Sequence, residues 1–317
     1  MRRVYNAVTF DTNSYRALAR LFDTRSALIP SILLLQLACT EPTSVTIPTA
    51  LDTPIVFTQL SDTGWDLFAV RMDATNFVRL TSDPADDLYP QWTDAHRRIA
   101  FESSRDGGGV FAMRPDGTSV ELLYRNVSSF SSTYRFALSP DGAEIAFTPL
   151  GSNEVRVANV GPDSTSRLVA FGNQVAWSPG GDKLAFTSPR GIDVVNVDGS
   201  GLRTLVRMDG AREPAWSADG GRVAYSQLVP PDGIFIFVAA ADGSNPRQVT
   251  FPEATSFAND LGVAWSPDGR FLAFQREHLC GPGPSCYDVM IVPTSGGQTI
   301  NLTASLGIVG TSGRPSW

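Results

Sequence analysis

Residues 264–275 read Ala264-Trp265-Ser266-Pro267-Asp268-Gly269-Arg270-Phe271-Leu272-Ala273-Phe274-Gln275. A short strand ends in Trp, Ser-Pro-Asp-Gly makes a tight turn, and a second strand begins with an apolar-Ala-aromatic triplet. Asp-Gly supplies the positive φ that a hairpin turn needs. The stretch therefore predicts two antiparallel strands joined by a short turn.

The triplet and its following residue recur six times, as Ile55-Val56-Phe57-Thr58, Ile99-Ala100-Phe101-Glu102, Ile145-Ala146-Phe147-Thr148, Leu184-Ala185-Phe186-Thr187, Val223-Ala224-Tyr225-Ser226 and Leu272-Ala273-Phe274-Gln275. The aromatic positions fall 44, 46, 39, 39 and 49 residues apart, an interval that suits a propeller blade and is too long for a leucine-rich repeat. The preceding strand ends at Trp92, Leu138, Trp177, Trp216 or Trp265. A third strand, a second tight turn (Asp116-Gly117, Asp198-Gly199, Asp242-Gly243, Gly296-Gly297) and a short fourth strand complete each copy. Four antiparallel strands per repeat make one blade, and the pattern predicts an all-β, six-bladed β-propeller over residues 53–317. The copy at Ile55 lacks its Trp strand, and Arg314-Pro315-Ser316-Trp317 is that strand alone. The C-terminal strand is expected to complete the N-terminal blade and so remove a free sheet edge. Five of the six tryptophans hold the repeat anchor and read as packing residues; Trp65 is the exception.

Trp-Ser-Pro-Asp-Gly, the apolar-Ala-aromatic strand and the later Asp-Gly turn resemble the WD40-like repeat of TolB-type propellers. The resemblance covers residues 53–317. The family implies a periplasmic partner of a peptidoglycan-associated lipoprotein, with an α/β domain ahead of its propeller. Here only a short linker, residues 40–52, is expected in that place, so the resemblance reaches the propeller half.

Residues 27–38 form an apolar run, with Arg20 and Arg25 before it and Cys39, Thr40, Glu41 and Pro42 after it. Basic, apolar, small, then polar is the order of a secretory signal, and the run is shorter than the roughly 20 apolar residues a membrane span needs. Leu37-Ala38-Cys39 resembles a bacterial lipobox, which implies lipidation at Cys39; ordinary signal-peptidase cleavage is the other reading. Residues 1–39 are set aside as a leader, and the expected address is the periplasm or cell envelope. Cys280 and Cys286 flank Gly-Pro-Gly-Pro-Ser, a loop able to bring two Cα atoms into bridging range, and are read as a disulfide rather than a metal pair.

The chain carries 25 Lys+Arg against 32 Asp+Glu. Without the five arginines and two aspartates of residues 1–39, 20 basic residues face 30 acidic ones. An acidic body disfavours nucleic acid as a partner.

No catalytic set, cofactor motif or metal-ligand spacing is present. The two histidines, His96 and His278, lie in separate loops, and His96 beside Arg97 and Arg98 reads as solvated. No Gly-x-Ser-x-Gly elbow or Gly-rich phosphate loop occurs. Crossing loops and second-to-third strand loops share one face of a propeller. Asp86, Asp87, Glu213 and Asp260 are placed in the crossing loops before first strands. Arg105, Asp106, Arg190, Arg212, Arg276 and Glu277 join them as a candidate binding face. The expected function is an exported, monomeric scaffold that binds an envelope protein or polymer. A hydrolase or lyase acting on carbohydrate through Asp86, Asp87 and Asp260 is the alternative, since glycoside chemistry needs only two carboxylates.

Overall fold

The computed structural model describes residues 53–93, 96–125, 136–251, 258–279, 285–308 and 312–317. The expected leader and linker, with Cys39, and Cys280 lie outside them. Almost all regular structure among the described residues is β-strand, the exceptions being a one-turn α-helix at Leu302–Ser305 and a short 3-10 turn at Arg105–Gly107.

Four sheets are four-stranded antiparallel blades. Three follow chain order: Asp87–Thr93 to Glu121–Tyr124, Phe136–Leu138 to Ser166–Phe171, and Asn173–Trp177 to Arg203–Arg207. The fourth holds Ile55–Leu60, Trp65–Val70 and Val78–Arg79, with Ser312–Ser316 antiparallel to Ile55–Leu60 in the register Val56↔Ser316 and Thr58↔Gly313.

The remaining sheet has eight strands and departs from the expectation of six separate blades. It consists of two antiparallel meanders, Ala211–Trp216 to Arg247–Gln248 and Ala258–Trp265 to Ile300–Asn301. A two-residue parallel pairing, Gly233↔Ala258 and Ile234↔Asn259, joins them. Its cause is length: Gly233–Ala240 runs eight residues while its outer partner Arg247–Gln248 covers only Phe237 and Val238, which leaves the start of the strand open to Ala258 and Asn259. The fourth strand of the last meander is only two residues long, Ile300–Asn301. It ends at Asn301, whose side chain accepts the Ala304 N–H and caps the helix.

The hydrophobic core is distributed between consecutive repeats. Ile99 and Phe101 pack toward Val56, Leu67 and Ala69, whereas Ala100 packs toward Phe136, Ile145 and Phe147. Successive strand residues point to opposite faces, and here both faces are covered, so the triplets are apolar throughout. In three triplets the Ala has a specific reason, since it shares a core cluster with the tryptophan of the next repeat. Ala146 lies with Trp177, Ala224 with Trp265 and Ala273 with Trp317. The last of these clusters also joins Ile55, Phe57 and Phe68 to Phe271, Val289 and Ile291.

Four of the anchor tryptophans are also stitched to backbone through Nε1–H, three of them to the preceding repeat and Trp317 to the chain just before its sheet partner Ile55–Leu60, whereas the buried Trp216 Nε1 has no such bond among the described residues. Trp92 donates to Pro54 O, Trp177 to Ala137 O, Trp265 to Ala215 O and Trp317 to Thr53 O, at 2.9–3.1 Å. The Ser of the first turn is equally committed: Ser266 Oγ donates to Asp268 and accepts the Phe271 N–H.

Glycine in the second turn lets a neighbouring backbone approach. A Cβ on Gly243 (φ +89°) would lie 1.9 Å from Leu205 O, and one on Gly117 (φ +83°) 2.4 Å from Leu80 O. Gly243→Ala is expected to cost about 2–3 kcal/mol, from left-handed strain and the displaced strand together. Urea unfolding of the two proteins checks this; a loss below about 0.5 kcal/mol, the usual surface effect, would refute it.

Candidate functional site

Four of the first strands are each broken at one place. The register slips between Leu88 and Gln91, Asn173 and Ala176, Arg212 and Ala215, and Leu261 and Ala264. The residue at the slip, three before the tryptophan, is left-handed: Tyr89 (φ +53°), Gln174 (+53°), Glu213 (+55°) and Gly262 (+68°). A bulge of this kind re-aims a side chain. For a non-glycine residue the conformation costs on the order of 1–2 kcal/mol, so three such residues in equivalent positions mark a place where surrounding structure enforces strain. Arg314 occupies the same position before Trp317.

These residues meet. Glu213, 2 % exposed, accepts hydrogen bonds from the Gly262 N–H at 2.6 Å and Gln174 Nε2 at 3.3 Å. It also forms an ion pair with Arg314 at 2.8 Å. The Arg314 guanidinium stands 5.7 Å from the Tyr89 ring centre. Thr187 Oγ1 donates to Gln174 Oε1 and accepts the Glu213 N–H. Behind this layer, Glu102 is buried, and burial pushes its carboxyl up to about 8 against the opposing pull of Arg314.

A cavity lies on either side of the cluster. On the side of the first turns, about 270 Å³ is lined by all six first strands, including Trp92, Trp177, Trp216, Trp265 and Trp317. His96 lines it too, 5.6 Å from the Trp92 ring, and burial holds its imidazole below the ordinary value. His96 is thus half-buried rather than fully solvated. On the crossing-loop side, about 430 Å³ is lined by Thr58, Trp65, Leu88, Tyr89, Leu261, Gln275, Glu277, Tyr287, Gly313 and Arg314. Tyr89 and Arg314 line both cavities.

The candidate binding face is rearranged. Asp87, Glu213 and Asp260 lie inside first strands rather than in crossing loops. Asp87 is held by Arg105 at 2.7 and 2.8 Å, with Asp83 on the same guanidinium, and burial keeps its carboxyl above the ordinary value. Arg276 grips Asp260 at 2.7 and 3.0 Å, both side chains buried. Asp86 Oδ1 accepts the Trp65 N–H. Arg190 pairs with Asp193, Arg212 Nε donates to Gly210 O, and Asp106 occupies a left-handed turn position. Of the ten, Glu277 lines the crossing-loop cavity, Glu213 reaches it only through its ion pair with Arg314, and Asp86 reaches back to the preceding repeat. Cys286 is disulfide-bonded. His278 pairs with Asp288 at 2.8 Å. No group of three or more His, Cys, Asp or Glu able to hold a metal ion occurs among the described residues.

Sequence reasoning passed over Tyr89, Gln174, Glu102 and Arg314. The signal was present: aligned on the anchor, the third residue before it is Tyr89, Arg135, Gln174, Glu213, Gly262 or Arg314. Arg135 lies outside the described residues.

The comparisons place the fold. No family model matches the chain. An uncharacterized protein of Agrobacterium fabrum is 25% identical over 180 residues, 54% of this chain and 50% of the relative, so the chain spans half the length of that relative. The structure of TolB from Acinetobacter baumannii superposes with a TM-score of 0.62 at 16% identity, over 86% of this chain and 68% of that one. A putative TolB from Agrobacterium tumefaciens gives 0.58 at 16% identity, over 82% and 90%. The chain shares the β-propeller fold of these TolB structures.

Proposed function

We propose that this chain is an exported, six-bladed binding propeller that holds an envelope protein or polymer at its crossing-loop mouth. The eight-stranded sheet counts as two blades, and Ser312–Ser316 closes the ring. The single observation that carries the binding role is the crossing-loop cavity, which ends on the Arg314–Glu213 bridge. Rigid strands position a recess there whose floor is preorganised, which is where binding concentrates on such scaffolds. Export is supported by the leader and by the disulfide at Cys286, a bond that persists in oxidising compartments. Cys280 is the proposed partner of Cys286, and lipidation of Cys39 would hold the propeller at a membrane.

The tagged full chain, incubated with envelope extract, is expected to capture one partner reproducibly across a range of salt concentrations. Failure to recover any partner would sink this reading.

A carbohydrate hydrolase or lyase is the second reading. Asp86, Asp87 and Asp260 weaken it, because each already accepts a hydrogen bond from the scaffold: Asp86 from the Trp65 N–H, Asp87 from Arg105 and Asp260 from Arg276. Glu102 is the observation in its favour, since a carboxyl held protonated near neutral pH suits a general acid. Oligosaccharide turnover that vanishes in Glu102→Gln would establish it.

A further inference from the structure

We infer that the crossing-loop cavity is a site for a neutral or N-acetylated sugar ring; this rests on the reading of that mouth as the binding end and names its ligand class. The volume, about 430 Å³, falls in the range of small-ligand sites and accommodates one or two sugar rings. Trp65, Tyr89 and Tyr287 line it from three different four-stranded groups, each half-buried. Trp65 is the tryptophan that the repeat does not use.

A sugar ring presents an apolar C–H face and a rim of hydroxyls, each able to donate and accept. Aromatic side chains with polar tips match the first. The second needs polar groups with unused capacity. Thr58 lines the cavity, is 4 % exposed, and its Oγ1 has no hydrogen-bond partner among the described residues. A buried hydroxyl left in that state is costly, and a ligand hydroxyl relieves it. Glu277 accepts from Asn259 Nδ2 at 3.0 Å and from Tyr287 OH at 3.4 Å. A carboxylate has about four acceptor positions, so capacity remains for ligand O–H groups. Gly313 keeps the floor flat: a Cβ there would sit 3.7 Å from Thr58 Cβ and 3.9 Å from Gln275 Nε2.

The charges choose among sugars. Arg314 is bound by Glu213, and Arg276 by Asp260. Among the described residues no cation pairs with Glu277. A ligand carboxylate would face that charge without a counter-ion, so uronic acids are disfavoured.

The test measures binding of chitotriose, maltotriose and trigalacturonate to the full chain by calorimetry and tryptophan fluorescence, alongside Trp65→Ala, Thr58→Val and Glu277→Gln. His96→Ala, at the opposite mouth, serves as control. At least one neutral trisaccharide is expected to bind at or below the millimolar range, at least about tenfold tighter than trigalacturonate. Trp65→Ala should weaken it about tenfold or more, Glu277→Gln and Thr58→Val about threefold or more, and His96→Ala not at all. Thermal melts identify folded variants; if Trp65→Ala fails to fold, Thr58→Val decides. No neutral binding up to about 10 mM, binding indifferent to the folded variants, or tightest binding to trigalacturonate would each overturn the inference. Protein capture from envelope extract without any sugar binding would overturn it too, while leaving the proposed function standing.

Discussion

Arg314→Ala is expected to lower the stability of the propeller by about 3–5 kcal/mol, because it strands Glu213 as a buried carboxylate without its counter-ion. The side chains are 14 % and 1 % exposed, so water offers little compensation. The Gly262 N–H and Gln174 Nε2 would remain as donors and keep the loss from growing further. Loss of the guanidinium also removes a wall common to the two cavities. The double variant Arg314→Met with Glu213→Gln should recover most of the loss, since replacing both members of a buried pair is often close to neutral. Denaturant unfolding of wild type, both single variants and the double variant gives the coupling directly. A single-variant loss under about 1 kcal/mol would show that the bridge does not hold the ring at this point.

Glu102→Gln is expected to act in the opposite direction and only where the pH is high enough. The folded protein holds the Glu102 proton until about pH 8, whereas the ordinary value is 4.5. Between these values the native state binds more protons than the unfolded chain, so stability falls as pH rises. The penalty is small near pH 4.5 and complete above pH 8, where it amounts to a few kcal/mol, on the order of 1.4 kcal/mol per pH unit of displacement. Glutamine carries no such penalty. Unfolding curves at pH 5, 7 and 8.5 should show the variant gaining on wild type at each step. A gain that does not depend on pH would exclude burial of this carboxyl as the cause. The two effects are linked, because Arg314 opposes the displacement; in Arg314→Ala the Glu102 carboxyl should titrate higher still.

Much of the architecture is legible because the same physics is repeated along the chain. The Ser-Pro-Asp-Gly turns, the anchors and the apolar-Ala-aromatic triplets each state one local requirement, and their agreement leaves little freedom. Even the Ala in three of the triplets has a visible counterpart, the tryptophan one repeat later. What the repeat could not announce was its own irregularity. The parallel pairing at Gly233 and Ala258 depends on strand length, and strand ends are set by backbone pairing rather than by composition. The site was harder for a related reason. Asp87 and Asp260 stood out as carboxylates near a mouth, yet arginines two strands' breadth away in sequence claim them. Glu213 was singled out by charge, but its partner Arg314 lies 101 positions on, and only the ring brings them together. Tyr89 and Gln174 carry no charge to attract notice; their common trait is a backbone conformation, which no residue type spells out.

The pairing of Gly233 and Ile234 with Ala258 and Asn259 makes one boundary in the ring mechanically unlike the others. Neighbouring groups elsewhere are held by apolar side chains and isolated hydrogen bonds, such as Trp177 Nε1–H to Ala137 O and Gly161 N–H to Leu123 O, which tolerate small rotations. Here a backbone ladder crosses the boundary, and any tilt of one meander against the other must shear it. The two meanders are coupled as a single leaf, so whatever breathing the ring allows is pushed toward the remaining joints, away from Asn259 and the Glu277 that it holds.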